Sequence, residues 1–333
     1  MSAPSVGPAV QVRELSHSYA NPTAGRKAKG DAARTVALDG LSFDVQPGEL
    51  FGIVGPDGAG KTTLFRILTT LLLPESGSAS VLGLHVVDGS RELRTRIGYV
   101  PGRFSLYPDL SVQENLQFFA SVFGTTIEEA SATIAPIYRQ LEPFRDRRAG
   151  VLSGGMKQKL SLSCALVHRP DVLFLDEPTT GVDAVSRREF WGLLESLADS
   201  GLPIVVSTPY MDEALRCDRV LLLQAGRALE IGVPTAFAAR YAQPVFSVHA
   251  PIGGAQRLRL LAALRAAPHA LSVYPFGDVL HYTDRREGVA LAVVTREIVA
   301  HLESDGLAGG LEIARIEAGI EDVFMARMAV GAT

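Results

Sequence analysis

A lysine and a threonine close a glycine-rich run, Gly55-Pro56-Asp57-Gly58-Ala59-Gly60-Lys61-Thr62. The run fits G-x-x-x-x-G-K-[ST], the pattern of a loop that cradles phosphates. Glycines let successive backbone N–H groups turn inward as an anion nest, and a helix opening behind them adds the positive end of its dipole. Lys61 then neutralises charge on the outer phosphates, and the Thr62 hydroxyl is a ligand for Mg²⁺. Asp57 is out of character here, because a carboxylate repels phosphate unless it points away. An accidental glycine-rich turn is the competing reading. The short strand before the run and the apolar-periodic helix after it argue against that.

Two carboxylates end an apolar strand, Val172-Leu-Phe-Leu-Asp176-Glu177. Such a strand presents its acids at the C-terminal edge of a sheet, the edge where a phosphate loop also opens. Asp176 suits Mg²⁺, held through water, and Glu177 suits the polarisation of an attacking water. Solvated acids capping a strand are the alternative, and the phosphate loop disfavours it. A third group, Leu152-Ser153-Gly154-Gly155-Met156-Lys157-Gln158, precedes a helix that continues to Val167. Ser153 and the amides of Gly154 and Gly155 make a second helix N-terminus suited to anions. On physical grounds alone an ordinary helix cap accounts for it equally well.

These groups need short strands and helices to hold them. Ala9 to Tyr19 alternates as a strand does, and Leu41–Val45 and Leu50–Val54 read as strands around the turn Gln46-Pro47-Gly48. A helix is expected from Gly60 to about Leu71, and a strand at Ile97–Val100. Ser111 with Glu114, and Thr125 with Glu128, have capping-box spacing, so residues 103–165 read as mostly helical. Further on come a strand at 172–175, a helix at 186–198, a strand at 204–207, a short helix at 211–215 and a hairpin turning at Ala225-Gly226. Asn21 to Arg34, rich in Gly, Ala and Lys/Arg, reads as a flexible surface insertion. Short apolar strands alternating with helices predict a sheet covered by helices. A composition break near 241–244 opens a smaller α+β domain over 241–333, leaving 1–240 as the first domain.

Composition narrows the function further. A net charge of −4 gives no reason to expect nucleic acid as a partner. Two widely spaced cysteines, Cys164 and Cys217, exclude a disulfide scaffold and suit a reduced, cytosolic protein in which both pack inside helices. No apolar stretch approaches the ~20 residues of a spanning helix, and the first ten residues lack the features of a signal peptide. A membrane role would therefore come through a partner.

The phosphate loop, the Leu-Ser-Gly-Gly-Met-Lys-Gln run, Leu175-Asp-Glu-Pro178 and Gly181-Val-Asp183 stand in the order and spacing of ABC ATPases. The resemblance covers about residues 9–240, and the run at 152–158 is its most specific part. It implies a P-loop NTPase cassette, an α/β fold with a mixed sheet on a RecA-like core, an antiparallel β subdomain and a helical subdomain, followed by a small α+β domain. It implies ATP and Mg²⁺ as cofactors. Gly55, Pro56, Asp57, Gly58, Ala59, Gly60, Lys61, Thr62 and Thr63 would hold ATP, with Thr62 and Asp176 toward the metal. Tyr19 matches the aromatic that stacks on adenine, although a half-buried strand tyrosine is a serious alternative. ABC cassettes dimerise head to tail, so Ser153, Gly154, Gly155, Met156 and Gln158 would meet ATP on a partner cassette. Asp183 would cross the dimer interface and, with Glu177, serve the chemistry. The tail Ile316–Phe324 resembles subunits paired with ABC-2 type permeases, which export drugs, lipids or polysaccharides. The match is especially close to the first cassette of YbhF-like efflux proteins, which also carry GPDGAGKTTL and LSGGMKQKL. Such a subunit sits peripherally on the cytoplasmic face of the membrane, held by its permease through the region between Arg103 and Arg148.

Two residues depart from that family. Tyr99-Val-Pro is followed by Gly102 where a glutamine is usual, and Ser207-Thr is followed by Pro209 where a histidine is usual. Neither replacement can ligate or titrate. The nucleotide is expected to bind at this P-loop and to be hydrolysed slowly, while the 152–158 run completes the site of a partner cassette bearing the missing glutamine and histidine. A regulatory ATP sensor and a non-transport ABC protein acting on ribosomes or DNA are the rival readings. The second cassette or long coiled coil expected of the latter is missing from the sequence.

Overall fold

The computed structural model describes residues 7–20 and 34–331. The segment expected as a flexible insertion lies outside them except for Arg34, which opens a strand. The chain divides into two compact units, Met1–Ile231 and Gly232–Thr333.

In the first unit β1 (Val10–Ala20) pairs with β2 (Arg34–Val45), and β3 (Leu50–Val54) leads through the glycine run into α1 (Lys61–Leu68). Next come β4 (Ser76–Val81), β5 (Leu84–His85), α2 (Ser90–Arg96) and β6 (Ile97–Val100). Three helices, α3 (Val112–Val122), α4 (Ile127–Leu141) and α5 (Gly154–Leu166), precede β7 (Val172–Asp176). The unit ends with α6 (Ala184–Asp199), β8 (Ile204–Thr208), α7 (Met211–Ala214), β9 (Arg219–Gln224) and β10 (Arg227–Gly232).

Four strands form an antiparallel sheet in the order β2-β1-β4-β5, and six form a second sheet in the order β10-β9-β3-β8-β7-β6. Around β3 the second sheet is parallel: β3 pairs with β8 and β9, β8 with β7, and β7 with β6. All five residues of β3, β7 and β8 are buried, as both faces of a parallel sheet require. One apolar cluster joins the two sheets around α1, and in it Phe43 stacks on Phe51 at 5.5 Å while Phe65 meets Phe174 edge-on at 6.1 Å. The parallel register brings the C-terminal ends of β3, β7 and β8 to one edge, and that edge carries the site.

Several elements differ from the sequence reading. The capping box of α4 uses Thr126 and Glu129, one residue later than Thr125 and Glu128. Thr126 has the extended backbone a cap needs, and Thr125 instead donates to the Glu129 carboxylate at 2.8 Å. Helix α1 stops at Leu68 rather than near Leu71, where Thr70 turns left-handed. Strand β2 begins seven residues before Leu41, at Arg34.

The second unit contains α8 (Pro234–Ala239), β11 (Val245–His249), α9 (Gly254–Arg265), β12 (Ala270–Phe276), β13 (Val279–Asp284), α10 (Leu291–Glu303), β14 (Glu312–Ile316) and α11 (Ile320–Gly331). Its antiparallel sheet runs β12-β13-β11-β14. Phe246, Val248, Leu280 and Tyr282 pack with Leu264 of α9 and Ile298 of α10 in a core of its own. The first turn of α11 is fastened by the buried Asp322, which accepts from Tyr274 Oη at 2.8 Å and from Gly319 N at 2.7 Å and lies 2.9 Å from His281 Nδ1.

Candidate functional site

The glycine run leaves β3 and turns into α1 under tight steric control. Gly60 has φ 109°, and a Cβ there would stand 2.3 Å from the carbonyl oxygen of Ala37. A Cβ on Gly55 would stand 2.2 Å from that of Leu223. Both glycines are therefore dictated by backbone proximity. Gly55 N donates to Thr208 O at 3.3 Å, so the run begins bound to the end of β8. Asp57 is exposed, which removes the objection to a carboxylate in this loop.

Lys61 is buried and donates from Nζ to Gly55 O at 2.7 Å and Pro56 O at 3.0 Å. The same ammonium lies 2.9 Å from Glu177 Oε1. Thr62 Oγ1 donates to Asp176 Oδ2 at 2.8 Å, and Ser207 Oγ donates to Asp176 Oδ1 at 2.7 Å. The four residues singled out from two distant motifs thus meet. Burial raises the pKa of Asp176, and the Ser207 and Thr62 hydroxyls draw it back only in part. The hydroxyl of Thr62 and the carboxylate of Asp176 are hard oxygen donors converging beside a phosphate loop. That set fits Mg²⁺, which takes few protein ligands and completes its shell with phosphate and water.

Glu177 N donates to Ser207 O at 3.1 Å and to Ser207 Oγ at 2.9 Å, and Glu177 has φ 48°. Ser207 was not singled out in the sequence. Its signal was present, a hydroxyl pair ending a buried strand, but the pairing of β8 with β7 is what gives it meaning.

Gly102 follows β6 beside this group. A Cβ there would lie 2.9 Å from Asp176 O and 3.8 Å from Asp176 Oδ2. Pro209 follows the end of β8 and stands one residue before Tyr210, the N-cap of α7.

The other expected residues gather elsewhere. Ser153 is the N-cap of α5, exposed, and accepts from Met156 N at 3.4 Å; Gln158 is half-buried on the same helix. Gly155 is buried, and a Cβ on it would stand 2.5 Å from Ser186 Cβ on α6. Gly155 is thus required by this chain's own packing, whatever else it touches. Asp183 caps α6, its Oδ1 accepting from Val185 N at 3.1 Å and Ser186 N at 2.9 Å, and these bonds hold its carboxyl below the usual range. Tyr19 is 39% exposed, and its hydroxyl lies 3.2 Å from Thr63 Oγ1, which aligns the ring with the start of α1. Cys164 and Cys217 are buried free thiols whose pKa values burial pushes up; Cys164 packs on α5 as expected, whereas Cys217 lies in the bend between α7 and β9 and not in a helix. No helix among the described residues is long and apolar enough to cross a membrane.

A family model described as ABC transporter matches residues 38–180. The probable multidrug ABC transporter ATP-binding protein YbhF of Escherichia coli is 46% identical over 224 residues, which are 67% of this chain and 39% of that protein. This chain therefore spans well under half the length of that relative. The Nod factor export ATP-binding protein I of Burkholderia thailandensis is 39% identical over 295 residues, 87% of this chain and 91% of its own. The solved structure of cbiO1 from Clostridium perfringens, described as part of the ABC transporter complex cbiONQ, superposes with a TM-score of 0.59 at 28% identity, covering 70% of this chain and 91% of that one. The dimeric structure of a bacterial ABC transporter cassette shares the fold at 23% identity and a TM-score of 0.59, covering 67% and 98%. The chain belongs to the ABC transporter ATP-binding family, and its mixed α/β architecture is the P-loop NTPase cassette of that family.

Proposed function

We propose that this chain is the MgATP-driven subunit of an exporter and that it works on a separate ABC-2 type permease. The observation that carries the reading is the convergence of Lys61, Thr62, Asp176 and Glu177 within hydrogen-bond reach at one sheet edge. Relatives described as multidrug and Nod factor export proteins support the direction of transport.

In this reading the amides of residues 55–62 and the Lys61 ammonium bind the phosphates, and Tyr19 stacks on adenine. Thr62, and Asp176 through water, would hold Mg²⁺, which would supply neutralisation of charge on the phosphates. Glu177 orients and polarises the attacking water. Lys61 exchanges its Gly55, Pro56 and Glu177 contacts for phosphate oxygens, which frees Glu177 for that water. Gly102 and Pro209 supply no side-chain donor or base to the outer phosphate. Losing one positioned polar group commonly slows chemistry by ~10²-fold, so this site turns over slowly. A partner cassette with the missing glutamine and histidine would take Ser153, Gly154 and Gly155 from this chain to complete its own site, with Asp183 at the interface. The permease would dock on the region between Arg103 and Arg148, beside a cavity of about 210 Å³ lined by Leu71, Tyr99, Phe119, Phe123, Cys164 and His168.

Purified full-length chain is expected to bind MgATP with clear saturation and to hydrolyse it slowly under single-turnover conditions. Robust steady-state turnover would count against the slow site, and absence of MgATP binding would sink the reading. For the composite site the probe is Ser153→Arg in the assembled pair, since a side chain at Gly155 breaks this chain's own packing. Ser153→Arg should stop hydrolysis at the partner's P-loop; unchanged turnover there rejects the shared site.

A further inference from the structure

Glu213 has no part in the chemistry above, yet it is 2% exposed. A buried carboxylate is costly unless its oxygens are bonded. Two threonine hydroxyls, one from the turn after β7 and one from the end of β8, bond these oxygens: Thr179 Oγ1 donates to Oε1 at 2.6 Å, and Thr208 Oγ1 donates to Oε2. The Arg187 guanidinium stands 3.6 Å from Oε1 and lies over the Tyr210 ring, 4.3 Å from its centroid. One side chain on α7 therefore ties together the turn after β7, the end of β8 and the first turn of α6.

Both threonines adjoin the reacting groups. Thr179 belongs to the turn that begins at Glu177, closed by Thr180 N donating to Glu177 O at 3.3 Å and Thr180 Oγ1 donating to Glu177 Oε2 at 3.4 Å. Fixing Thr179 fixes that turn and the direction of the Glu177 carboxylate. Thr208 precedes Pro209, which has neither an N–H nor a titratable group. The path of the chain there is set by the Thr208 hydroxyl, which accepts from Tyr210 N at 3.0 Å and donates to Glu213.

We propose that Glu213 is a positioning residue for ATP hydrolysis, holding Glu177 through Thr179 and the 208–210 segment through Thr208 at reacting distance from the outermost phosphate. The inference rests on the MgATP-hydrolysing function proposed above. Its bonds do not involve Lys61 or Thr62, so it should govern rate more than affinity.

The test uses purified full-length chain, with the MgATP dissociation constant and the single-turnover rate at saturation measured separately. Thr179→Val removes one arm without touching the carboxylate, Thr179→Ser restores the hydroxyl, and Glu213→Gln keeps the shape but loses one acceptor. Thr179→Val is expected to slow the single turnover about 10-fold and to leave affinity within about twofold, as misplacement of a reacting group does. Thr179→Ser should recover most of the rate, and Glu213→Gln should fall between. A lower melting temperature with an unchanged rate per bound nucleotide would show a merely structural role and overturn the proposal. So would a loss of affinity in step with the loss of rate, or a wild type that binds MgATP and never turns it over. Wild-type chain that does not bind MgATP would overturn the functional reading as well, and affinity alone reveals that case.

Discussion

Asp176 is subject to opposed pressures: burial raises its pKa, while two hydroxyl donors partly restore the charged form. Because the folded value lies above the ordinary 3.8, its contribution to ligand-free stability is full below that pH and is lost as pH rises through the raised value. A cation bound at the carboxylate reverses the balance. Stabilisation by MgATP, read as the rise in melting temperature, should therefore grow from acid toward neutral pH. Asp176→Asn should flatten that dependence and make the ligand-free chain more stable at neutral pH. The two departures from the family also behave differently. Pro209→His adds a titratable group to a half-buried segment and should raise the single-turnover rate by about 10-fold or more. Gly102→Gln must first move a Cβ that would lie 2.9 Å from Asp176 O, so it should lower the melting temperature and recover less rate. Lys61, Thr62, Asp176 and Glu177 were legible in the sequence because each lies in a contiguous motif with a recognisable spacing. Ser207, Thr208, Thr179 and Glu213 were not, because their partners are set by which strands pair.

At the scale of elements, strong periodic signals read well and weak ones did not. The buried strands β3, β7 and β8 were found within a residue because their apolar runs end sharply. Strand β4, Ser-Gly-Ser-Ala-Ser-Val, buries only Ala79 and Val81, and α2 buries only Leu93, so neither carries a pattern to detect. The capping box of α4 was displaced by one residue because two adjacent threonines and two adjacent glutamates offer the same spacing twice. The junction between β3 and α1 gives the sharpest prediction at this scale. Gly60→Ala combines a positive φ with a 2.3 Å contact to backbone. It should destabilise the fold by about 2 kcal/mol or more and abolish nucleotide binding, checked by denaturant unfolding and MgATP titration.

At the scale of the whole molecule, each of the two units has its own core. Local damage to one is expected to leave the chemistry of the other intact. Asp322→Ala strands the buried Tyr274 hydroxyl and His281 ring, and should cost the C-terminal unit about 2–4 kcal/mol in denaturant unfolding. The MgATP dissociation constant of the same variant should stay within error of the wild type. A changed constant would show that the C-terminal unit contributes to nucleotide binding.

The left-handed backbone of Glu177 has a consequence for the evolvability of the chain. A residue other than glycine or asparagine held there costs of order 1–3 kcal/mol, and Ser207 keeps it in place by accepting its N–H. Glycine or asparagine would occupy that conformation with less strain while removing the acid. A library randomised at this codon and selected only for heat resistance should therefore enrich Asn, whose amide oxygen can still accept from the buried Lys61 ammonium that now lies 2.9 Å from Glu177 Oε1, and a selection for turnover should bring Glu back. The position that serves the reaction is one that thermal selection alone would discard.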